Sequence, residues 1–382
     1  FLANSTGRRP AGGPPGPRAA RGNALTRRLR SLVAGATWLI RLRFGAFAWA
    51  SAAAGAVTPG ATVDVWHGHD LPGLVAAAAA QRRHGGALIY DAHELYLEAG
   101  TTANAPAWAR SIVDRRERTL VRQADAVVTV NEAIGEELRR RFGPRRLVVV
   151  HNCPPLADLA DRLEEPSEGA GTSHRRPGGI GPLRTAAGLD ADAAVALYHG
   201  SLVPWRGTDM LAAAILDPRL AAVHAVFLGA GPLARTLRDL AAEPRFDGRL
   251  HVLDPVDPHD LERWIADADV GVMAIAPSTL NHRLSTPNKL FECLAAGVPV
   301  VASDFPGIRS IVCDDPAGPL GVVCDPGSPA AIATAIDTIL GMPALARADL
   351  RRRCLDAARE RWSWEIQAKG LLHLYADLGA TA

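Results

Sequence analysis

Residues 285–301, which read STPNKLFECLAAGVPVV, decide the fold of this chain. Ser285 or Thr286 can cap a helix, and Pro287 suits its first helical position. Gly297 suits the residue that follows the last turn and leads into an apolar strand. We therefore expect a helix that begins at Pro287 and faces the carboxyl edge of a parallel sheet. Free N–H groups and the positive end of the helix dipole at that edge would stabilise a pyrophosphate.

Two charged residues of this predicted helix indicate a nucleotide ligand. Lys289 adds a positive charge near the helix N-terminus. Glu292 lies four residues after Asn288, so both project from one helix face, where a carboxylate can accept hydrogen bonds from two ribose hydroxyls. The alternative is that Glu292 is an ordinary half-exposed helix residue. The flanking cap, glycine and apolar strand favour the functional interpretation.

Strands and helices alternate on both sides of this stretch. Four strands are predicted in the first half, within residues 62–70, 87–94, 124–130 and 146–152. Six more are predicted in the second half, within residues 194–200, 222–231, 249–256, 269–275, 299–304 and 321–326. This alternation predicts an α/β chain with two doubly wound, Rossmann-like domains. The opening strand and glycine-rich turn expected at the start of the first domain are not recognisable, so that domain is predicted to be truncated.

Composition sets the predicted domain boundaries. Residues 1–24, rich in Pro, Gly and Arg, are expected to form a disordered arm. Residues 25–155 would form the incomplete first domain and residues 193–360 the second. The polar, Gly/Pro-rich residues 156–192 would connect them. A helix within residues 361–382 is expected to pack back on the first domain.

Residues 25–57 are apolar with interspersed arginines and allow two interpretations. A buried helix pair of the first domain is favoured. The alternative is a basic face that lies on a membrane surface, as a lipid-linked acceptor would require. The arginines and the Ala/Gly-rich second half argue against a membrane-spanning helix.

Charge and cysteine content exclude several classes of partner. The chain has 42 basic and 40 acidic residues, a net charge of +2, so no global field favours nucleic acid. Five cysteines without a CxxC pair indicate neither a disulfide framework nor a zinc site, and they favour a reducing cytoplasm. The acidic pair of Asp190 and Asp192 lies in the polar connection, where a turn is favoured over a cation site. The histidines lack an HExxH spacing, so we expect no metal.

The PNKLFE segment of residues 287–292, followed by AAG and PVVAS, resembles the donor site of glycosyltransferase family 4. The resemblance runs from about Val63 to the C-terminus. It implies a GT-B fold, two facing Rossmann-like domains, with acceptor in the first and nucleotide sugar in the second. In this family two glutamates separated by seven residues are common. Glu292 matches the second glutamate, and the first position falls on Leu284.

The resemblance also implies roles for residues outside the helix. In the segment HGSLVPWRG of residues 199–207, Gly200 would allow close approach of the donor. Arg206 replaces the more frequent lysine and would neutralise the leaving diphosphate, unless it is a solvated loop arginine. His93 is similar to the family histidine that reaches the transferred sugar. Glu94 or Asp70 could orient the acceptor hydroxyl.

The predicted site follows from these assignments. The predicted catalytic residues are His93, Arg206 and Lys289. The predicted donor-binding residues are Gly200, Ser201, Arg206, Ser285, Thr286, Asn288, Lys289, Leu290 and Glu292. For His67 and His69, also at a strand end, satisfaction by local backbone is favoured.

The implied reaction is retaining transfer of a sugar from a UDP- or GDP-sugar to a glycan, lipid-linked or small-molecule acceptor. It would serve polysaccharide or glycolipid synthesis in the cytoplasm, or at the inner face of the membrane, without metal or another cofactor. One alternative is a non-catalytic GT-B binding protein or inactive fragment. The other is a sugar-nucleotide epimerase, which would need acid and base carboxylates such as Asp70, Asp91 and Glu94.

Overall fold

The structure is a computed structural model that describes residues 24–58, 60, 62–155 and 180–379. The arm predicted for residues 1–24 therefore lies outside the described residues, except for Ala24. Most of the connection predicted for residues 156–192 also lies outside them.

The first half of the chain forms a parallel sheet of four described strands in the order β1-β2-β3-β4. The strands are β1 (Val65–His69), β2 (Ala87–Ala92), β3 (Ala126–Thr129) and β4 (Leu147–Val149). The helices are α1 (Ala24–Phe44), α2 (Ala46–Gly55), α3 (Asp70–His84), α4 (Ala107–Gln123) and α5 (Glu132–Phe142). All four predicted strands are present.

The second half forms a six-stranded parallel sheet in the order β10-β9-β8-β5-β6-β7. The strands are β5 (Ala194–His199), β6 (Val223–Leu228), β7 (Leu250–Leu253), β8 (Val270–Met273), β9 (Val300–Ser303) and β10 (Gly321–Cys324). Successive strands run to one side from β5 to β7 and to the other from β8 to β10. The order therefore reverses between β5 and β8, which opens a crevice at the carboxyl ends of these strands. The predicted fold of two Rossmann-like α/β domains is confirmed.

Ten further α-helices lie in the second half of the chain among the described residues. They are α6 (Pro182–Ala187), α7 (Thr208–Ala214), α8 (Ala234–Ala241), α9 (Leu261–Ala266), α10 (Leu280–Leu284), α11 (Asn288–Ala295), α12 (Pro306–Val312), α13 (Pro329–Leu340), α14 (Ala344–Glu360) and α15 (Trp364–Asp377). The apolar faces of these helices, apart from α10 and α15, form one continuous core with the strands.

Helix α6 shows that the second domain begins before the end of the predicted connection. Leu183 is fully buried in the core of the second domain. Arg184, only 2% exposed, pairs with Asp267 at 2.7 Å and with Asp269 at 2.6 Å. A buried guanidinium needs such carboxylate partners. Asp190 and Asp192 are exposed beside the turn that leads into β5, as predicted.

Helix α15 crosses back to the first domain. Leu374 is fully buried in a small core with Ile89, Ala126 and Val128 of the first sheet. The last described helix thus covers one face of the first sheet.

Helices α1 and α2 are only partly buried, so the favoured prediction of a buried pair is wrong for their outer face. Ala50 and Ala54 are buried, and Trp38 packs against the core of the first domain. Large apolar side chains are nevertheless exposed, namely Leu29, Leu32, Val33, Ile40, Phe44 and Trp49. The reason is that α1 carries apolar residues around its whole circumference, whereas only one face can pack on the domain.

No single helix of the described residues is both long and apolar enough to cross a membrane. One pair of consecutive helical segments, Pro329–Leu340 with Ala344–Asp377, is together long and apolar enough to cross one, by length and composition only. The pair is bent by 103°. Ile332, Ile336 and Ile339 of this pair are fully buried in the second domain.

Candidate active site

A cavity of about 830 Å³ lies between the carboxyl edges of the two sheets. The first domain lines it with residues that follow β2, β3 and β4, and the second domain with residues that follow β5 and begin α11. The cavity therefore includes the crevice where the strand order of the second sheet reverses. Open α/β sheets bind ligands at this position.

Helix α11 presents its N-terminus to the cavity. Pro287 is the N-cap and the helix starts at Asn288, one residue later than predicted. The predicted capping by Ser285 or Thr286 is wrong. Ser285 Oγ donates to the His282 carbonyl at 3.1 Å, and Thr286 Oγ1 accepts a hydrogen bond from Asn131 at 3.2 Å. No side chain of the described residues caps α11, so its first N–H groups are available to an anion.

Glu292 is positioned by a histidine at the end of β5. His199 Nε2 lies 2.7 Å from Glu292 Oε2, and the two side chains are 3% and 31% exposed. Burial lowers the pKa of His199, and the hydrogen bond to Glu292 offsets only part of this effect. A neutral imidazole that donates Nε2–H to the carboxylate fits these contacts. The sequence analysis missed this role of His199, although its place beside Gly200 at a strand end was a usable signal.

Lys289 and Arg206 bring positive charge to the same region. Lys289 Nζ lies 3.7 Å from the centre of the Tyr198 ring. Burial, together with the positive charge of Arg206, lowers the pKa of Lys289 to about 7. Burial and like charge both penalise the ammonium form. A bound diphosphate would remove much of this penalty.

Two glycines shape the loops beside these charges. Gly200 has a φ of +101°, and an added Cβ would lie 3.7 Å from Lys289 Nζ. Gly229 has a φ of +153°, and a Cβ there would collide with the Gly200 carbonyl oxygen. Because L side chains rarely adopt such backbone angles, both positions favour glycine. The Gly229 turn thus supports the loop that follows β5.

On the first-domain side, the cavity is lined by acidic and imidazole groups. His93 Nε2 lies 3.5 Å from Asp91 Oδ2. The backbone N–H of His93 donates to Asp70 Oδ1 at 3.3 Å. The hydrogen bond to Asp91 raises the pKa of His93 despite burial. Burial raises the pKa of Asp91, but hydrogen bonds from His67 and His93 outweigh it and hold this pKa well below its usual range. Burial also raises the pKa of Glu94.

His67 and His69 have side-chain partners, so the favoured prediction of local backbone partners is wrong. His67 Nε2 lies 3.1 Å from Asp91 Oδ2, and its Nδ1 lies 2.5 Å from Tyr375 Oη of α15. His69 Nδ1 lies 3.1 Å from Asp91 Oδ2 and 3.0 Å from His93 Nε2. The register of the parallel strands places His69 opposite Asp91.

Buried amides join the two domains beside the cavity. Asn281 donates to Glu94 Oε2 at 3.1 Å and accepts from the Leu95 N–H at 3.0 Å. Asn131 caps α5 by accepting from the Ile134 N–H at 2.8 Å and donates to the Leu284 carbonyl at 3.0 Å. The sequence analysis missed both asparagines, because these contacts join residues more than 150 positions apart.

The structure brings most of the predicted site residues together. Those that line the cavity are His93, Gly200, Ser201, Arg206, Ser285, Thr286, Asn288, Lys289 and Glu292. Leu290 lies elsewhere, because its side chain is fully buried in the second core and its N–H donates to the Pro287 carbonyl at 2.9 Å. Leu284, at the position of the family's first glutamate, packs against the first core.

Comparison with known families accounts for both halves of this architecture. Residues 193–342 match the family model described as glycosyl transferases group 1, and residues 5–153 match the glycosyl transferase 4-like domain. The chain belongs to the group 1 glycosyltransferases. It is an enzyme that transfers a sugar from a nucleotide sugar.

Similar proteins include several named D-inositol 3-phosphate glycosyltransferase. The one from Acidothermus cellulolyticus is 29% identical over 326 residues, which cover 82% of this chain and 67% of that protein. The one from Geodermatophilus obscurus is 31% identical over 333 residues, covering 82% of this chain and 66% of that protein. The match thus spans about two thirds of the length of these relatives.

Solved structures share the GT-B fold at low sequence identity. Anabaena HepE in complex with UDP has a TM-score of 0.64 and 18% identity, covering 87% of this chain and 82% of that one. Sucrose-phosphate synthase from Thermosynechococcus elongatus has a TM-score of 0.62 and 20% identity, covering 83% and 74%. A structure from Escherichia coli described as trehalose-6-phosphate, bound with UDP-2-fluoro glucose, has a TM-score of 0.65 and 15% identity, covering 88% and 78%.

Proposed function

We propose that this group 1 glycosyltransferase uses a UDP-sugar, transfers the sugar with retention to an acceptor hydroxyl, and needs no metal at the diphosphate. The observation that carries the proposal is the arrangement of Glu292, Lys289 and Arg206 around the uncapped N-terminus of α11. A carboxylate for the ribose and cations for the diphosphate match the two ends of a nucleoside diphosphate. The UDP in solved structures of similar fold favours uridine over guanosine.

The chemistry follows from where negative charge develops. As the glycosidic bond to phosphate breaks, the leaving diphosphate gains charge, and Lys289, Arg206 and the helix N-terminus stabilise it as preorganised groups. The charge that a divalent cation would supply at this position comes from these side chains. Closure of the two domains over the cavity would exclude water from the reacting atoms.

Retention is proposed to occur by substitution on one face of the sugar. The carboxylates that line the cavity are Asp91, Glu94 and Glu292, and each is already held by imidazole or amide groups. Hydrogen bonds that stabilise the carboxylate charge lower its nucleophilicity, so we assign none of the three as a nucleophile. In the proposed reaction the leaving phosphate therefore accepts the proton of the acceptor hydroxyl. His93, which lines the cavity and has a raised pKa, is proposed to contact the sugar.

The donor site is tested by isothermal titration of UDP and GDP into wild type and Glu292→Ala, each with and without EDTA. We expect micromolar UDP affinity that survives EDTA and weakens by roughly 10- to 100-fold in the variant, because a charged hydrogen-bond acceptor is lost. Glu136→Ala, an exposed helix glutamate in the first domain, is the matched control. Equal UDP affinity in Glu292→Ala and wild type would refute the ribose role, and loss of binding in EDTA would refute metal independence.

We further propose that the acceptor is a polar hydroxyl compound of the inositol phosphate type or its lipid-linked equivalent, met at the inner face of a membrane. The name D-inositol 3-phosphate glycosyltransferase of similar proteins supports an acceptor of the inositol phosphate type. Helix α1 supports the membrane contact, since it combines exposed Leu29, Val33 and Phe44 with five arginines. Residues 24–55 contain no acidic residue. Exposed apolar groups combined with basic charge favour the surface of an anionic bilayer.

Vesicle sedimentation tests this contact. Wild-type protein should sediment with vesicles that contain anionic phosphatidylglycerol and remain free with pure phosphatidylcholine. Replacing Phe44 and Leu29 with serine should reduce the bound fraction severalfold, whereas UDP affinity should not change. Equal sedimentation of wild type and this double variant would contradict the assignment of α1.

A further inference from the structure

Three side chains at the edge of the first sheet converge on one point. His67 Nε2 and His69 Nδ1 each lie 3.1 Å from Asp91 Oδ2. All three ligand atoms lie within 4.8 Å of one another. His93 Nε2 approaches the same place, at 3.0 Å from His69 Nδ1 and 3.5 Å from Asp91 Oδ2. Three imidazole nitrogens thus surround a single carboxylate oxygen.

Hydrogen bonding alone explains this convergence poorly. A hydrogen bond between the facing nitrogens of His69 and His93 requires one nitrogen to carry the proton and the other to accept it. Asp91 Oδ2 would also have to accept hydrogen bonds from three imidazoles at once. A cation at the centre of the group would instead use the lone pairs of all these atoms together.

The spacing fits a small divalent metal ion. Zinc binds imidazole nitrogen at about 2.0–2.1 Å and carboxylate oxygen at about 2.0–2.2 Å, usually in tetrahedral geometry. Ligand atoms of such a tetrahedron stand roughly 3.3 Å apart, which follows from those bond lengths. The distances of 3.1 Å from Asp91 to His67 and His69 require little adjustment to reach this value.

We propose that His67, His69 and Asp91 bind a divalent transition-metal ion of the zinc type, with His93 beside the fourth coordination position. Two histidines and one carboxylate form a common ligand set for such ions. This site belongs to the first domain and is separate from the Lys289 and Arg206 cluster, so it does not replace the proposed metal-independent stabilisation of the diphosphate.

The surroundings of His67 support the assignment. Ligating histidines usually donate their other ring N–H to a protein group, which fixes the tautomer. His67 Nδ1 lies 2.5 Å from Tyr375 Oη, and Tyr375 belongs to α15. A metal bound through His67 Nε2 would leave Nδ1–H to donate to Tyr375. The ion would thereby join β1, β2 and the helix that crosses from the second domain.

Zinc titration of the full chain tests the proposal. Protein freed of metal by EDTA and then dialysed should bind one equivalent of zinc chloride by isothermal titration. His69→Ala should weaken zinc binding roughly 100-fold or more, since loss of even an outer-shell partner costs 10- to 100-fold. His69 suits the test because its side chain is 60% exposed, and UDP binding checks that the variant is folded. Asp91→Asn gives a second variant with the same expected loss.

The matched control is another histidine pair. His224 Nδ1 lies 3.1 Å from His251 Nε2 on the second sheet, outside the proposed group of three ligands. His224→Ala should leave zinc affinity unchanged. Cobalt added in place of zinc should give the visible absorption of a tetrahedral site in wild type and lose it in His69→Ala. The proposal is overturned if wild type binds no zinc, if His69→Ala binds it equally well, or if His224→Ala loses it to the same extent.

Discussion

The two sheets are built alike but present opposite chemistry to the cavity between them. In the second sheet the strand order reverses between β5 and β8, and cationic Lys289 and Arg206 lie at the resulting crevice. In the first sheet the four described strands follow one another without reversal, and acidic and imidazole groups line the edge. A reversal of strand order provides the space for a nucleotide, whereas an unreversed edge provides a row of side chains. In the proposed function this difference would separate donor binding in the second domain from acceptor binding in the first.

Removing positive charge from the donor side should have the largest effect. We expect Arg206→Ala to lower kcat about 100- to 1,000-fold, because in the proposed reaction Arg206 stabilises the charge that develops on the leaving diphosphate. Arg206→Lys should recover part of this loss. Arg245→Ala, which removes an exposed arginine paired with Glu243, is the control. A steady-state assay of UDP release measures the effect. A change in kcat below threefold in Arg206→Ala would contradict the proposal that the second-domain edge stabilises the diphosphate.

The stability of the first domain should depend on pH because of a buried carboxyl group. Glu117 is 3% exposed and accepts a hydrogen bond from Tyr90 at 2.8 Å. Burial raises the pKa of Glu117 from 4.5 to about 7. The folded chain therefore keeps this proton between pH 4.5 and 7 while the unfolded chain loses it, so stability falls as pH rises through this window.

We expect wild type to lose about 3 kcal/mol more than Glu117→Gln between pH 4.5 and pH 8, because one pKa unit corresponds to about 1.4 kcal/mol. Urea unfolding at several pH values measures the difference. Glu136→Gln, at an exposed position of α5, should behave like wild type. Parallel curves for wild type and Glu117→Gln would show that this carboxyl is not buried as described.

A smaller effect, on the pH dependence of UDP affinity, is expected from Lys289. With a pKa of about 7, Lys289 loses its charge as pH rises from 7 to 8, and UDP affinity should fall about fivefold over that range. Lys289→Met should bind UDP more weakly and without this component of the pH dependence. Lys369, the other lysine of the chain, is exposed and gives the control Lys369→Met. Identical pH slopes for wild type and Lys289→Met would contradict the assignment.

Local patterns were enough to predict the strands and most of the second-domain residues that line the cavity. The apolar runs gave the ten strands, and the PNKLFE segment predicted a helix whose observed start lies one residue away. Helix start and strand identity depend on neighbouring residues, so one sequence is sufficient. The capping prediction was wrong because Thr286 pairs with Asn131 of the other domain.

Contacts between distant segments were beyond the reach of such patterns. Nothing in the spacing of His199 and Glu292 shows that one orients the other, because they meet only when the second domain folds and brings the end of β5 to α11. Likewise His67, His69 and Asp91 converge through the register of β1 and β2. The histidines and Asp91 were each predicted at a strand end, but one sequence holds no information on which strand ends are neighbours in three dimensions.

The path of α15 has a consequence for how the protein is made. Ile89, Ala126 and Val128 of the first sheet are covered by Leu374, which lies close to the end of the described chain. During synthesis the first domain leaves the ribosome before α15, so Leu374 can cover this apolar face only after the whole second domain has been translated. The first domain is thus completed only after the second, and apolar sheet surface that is exposed in the meantime favours aggregation.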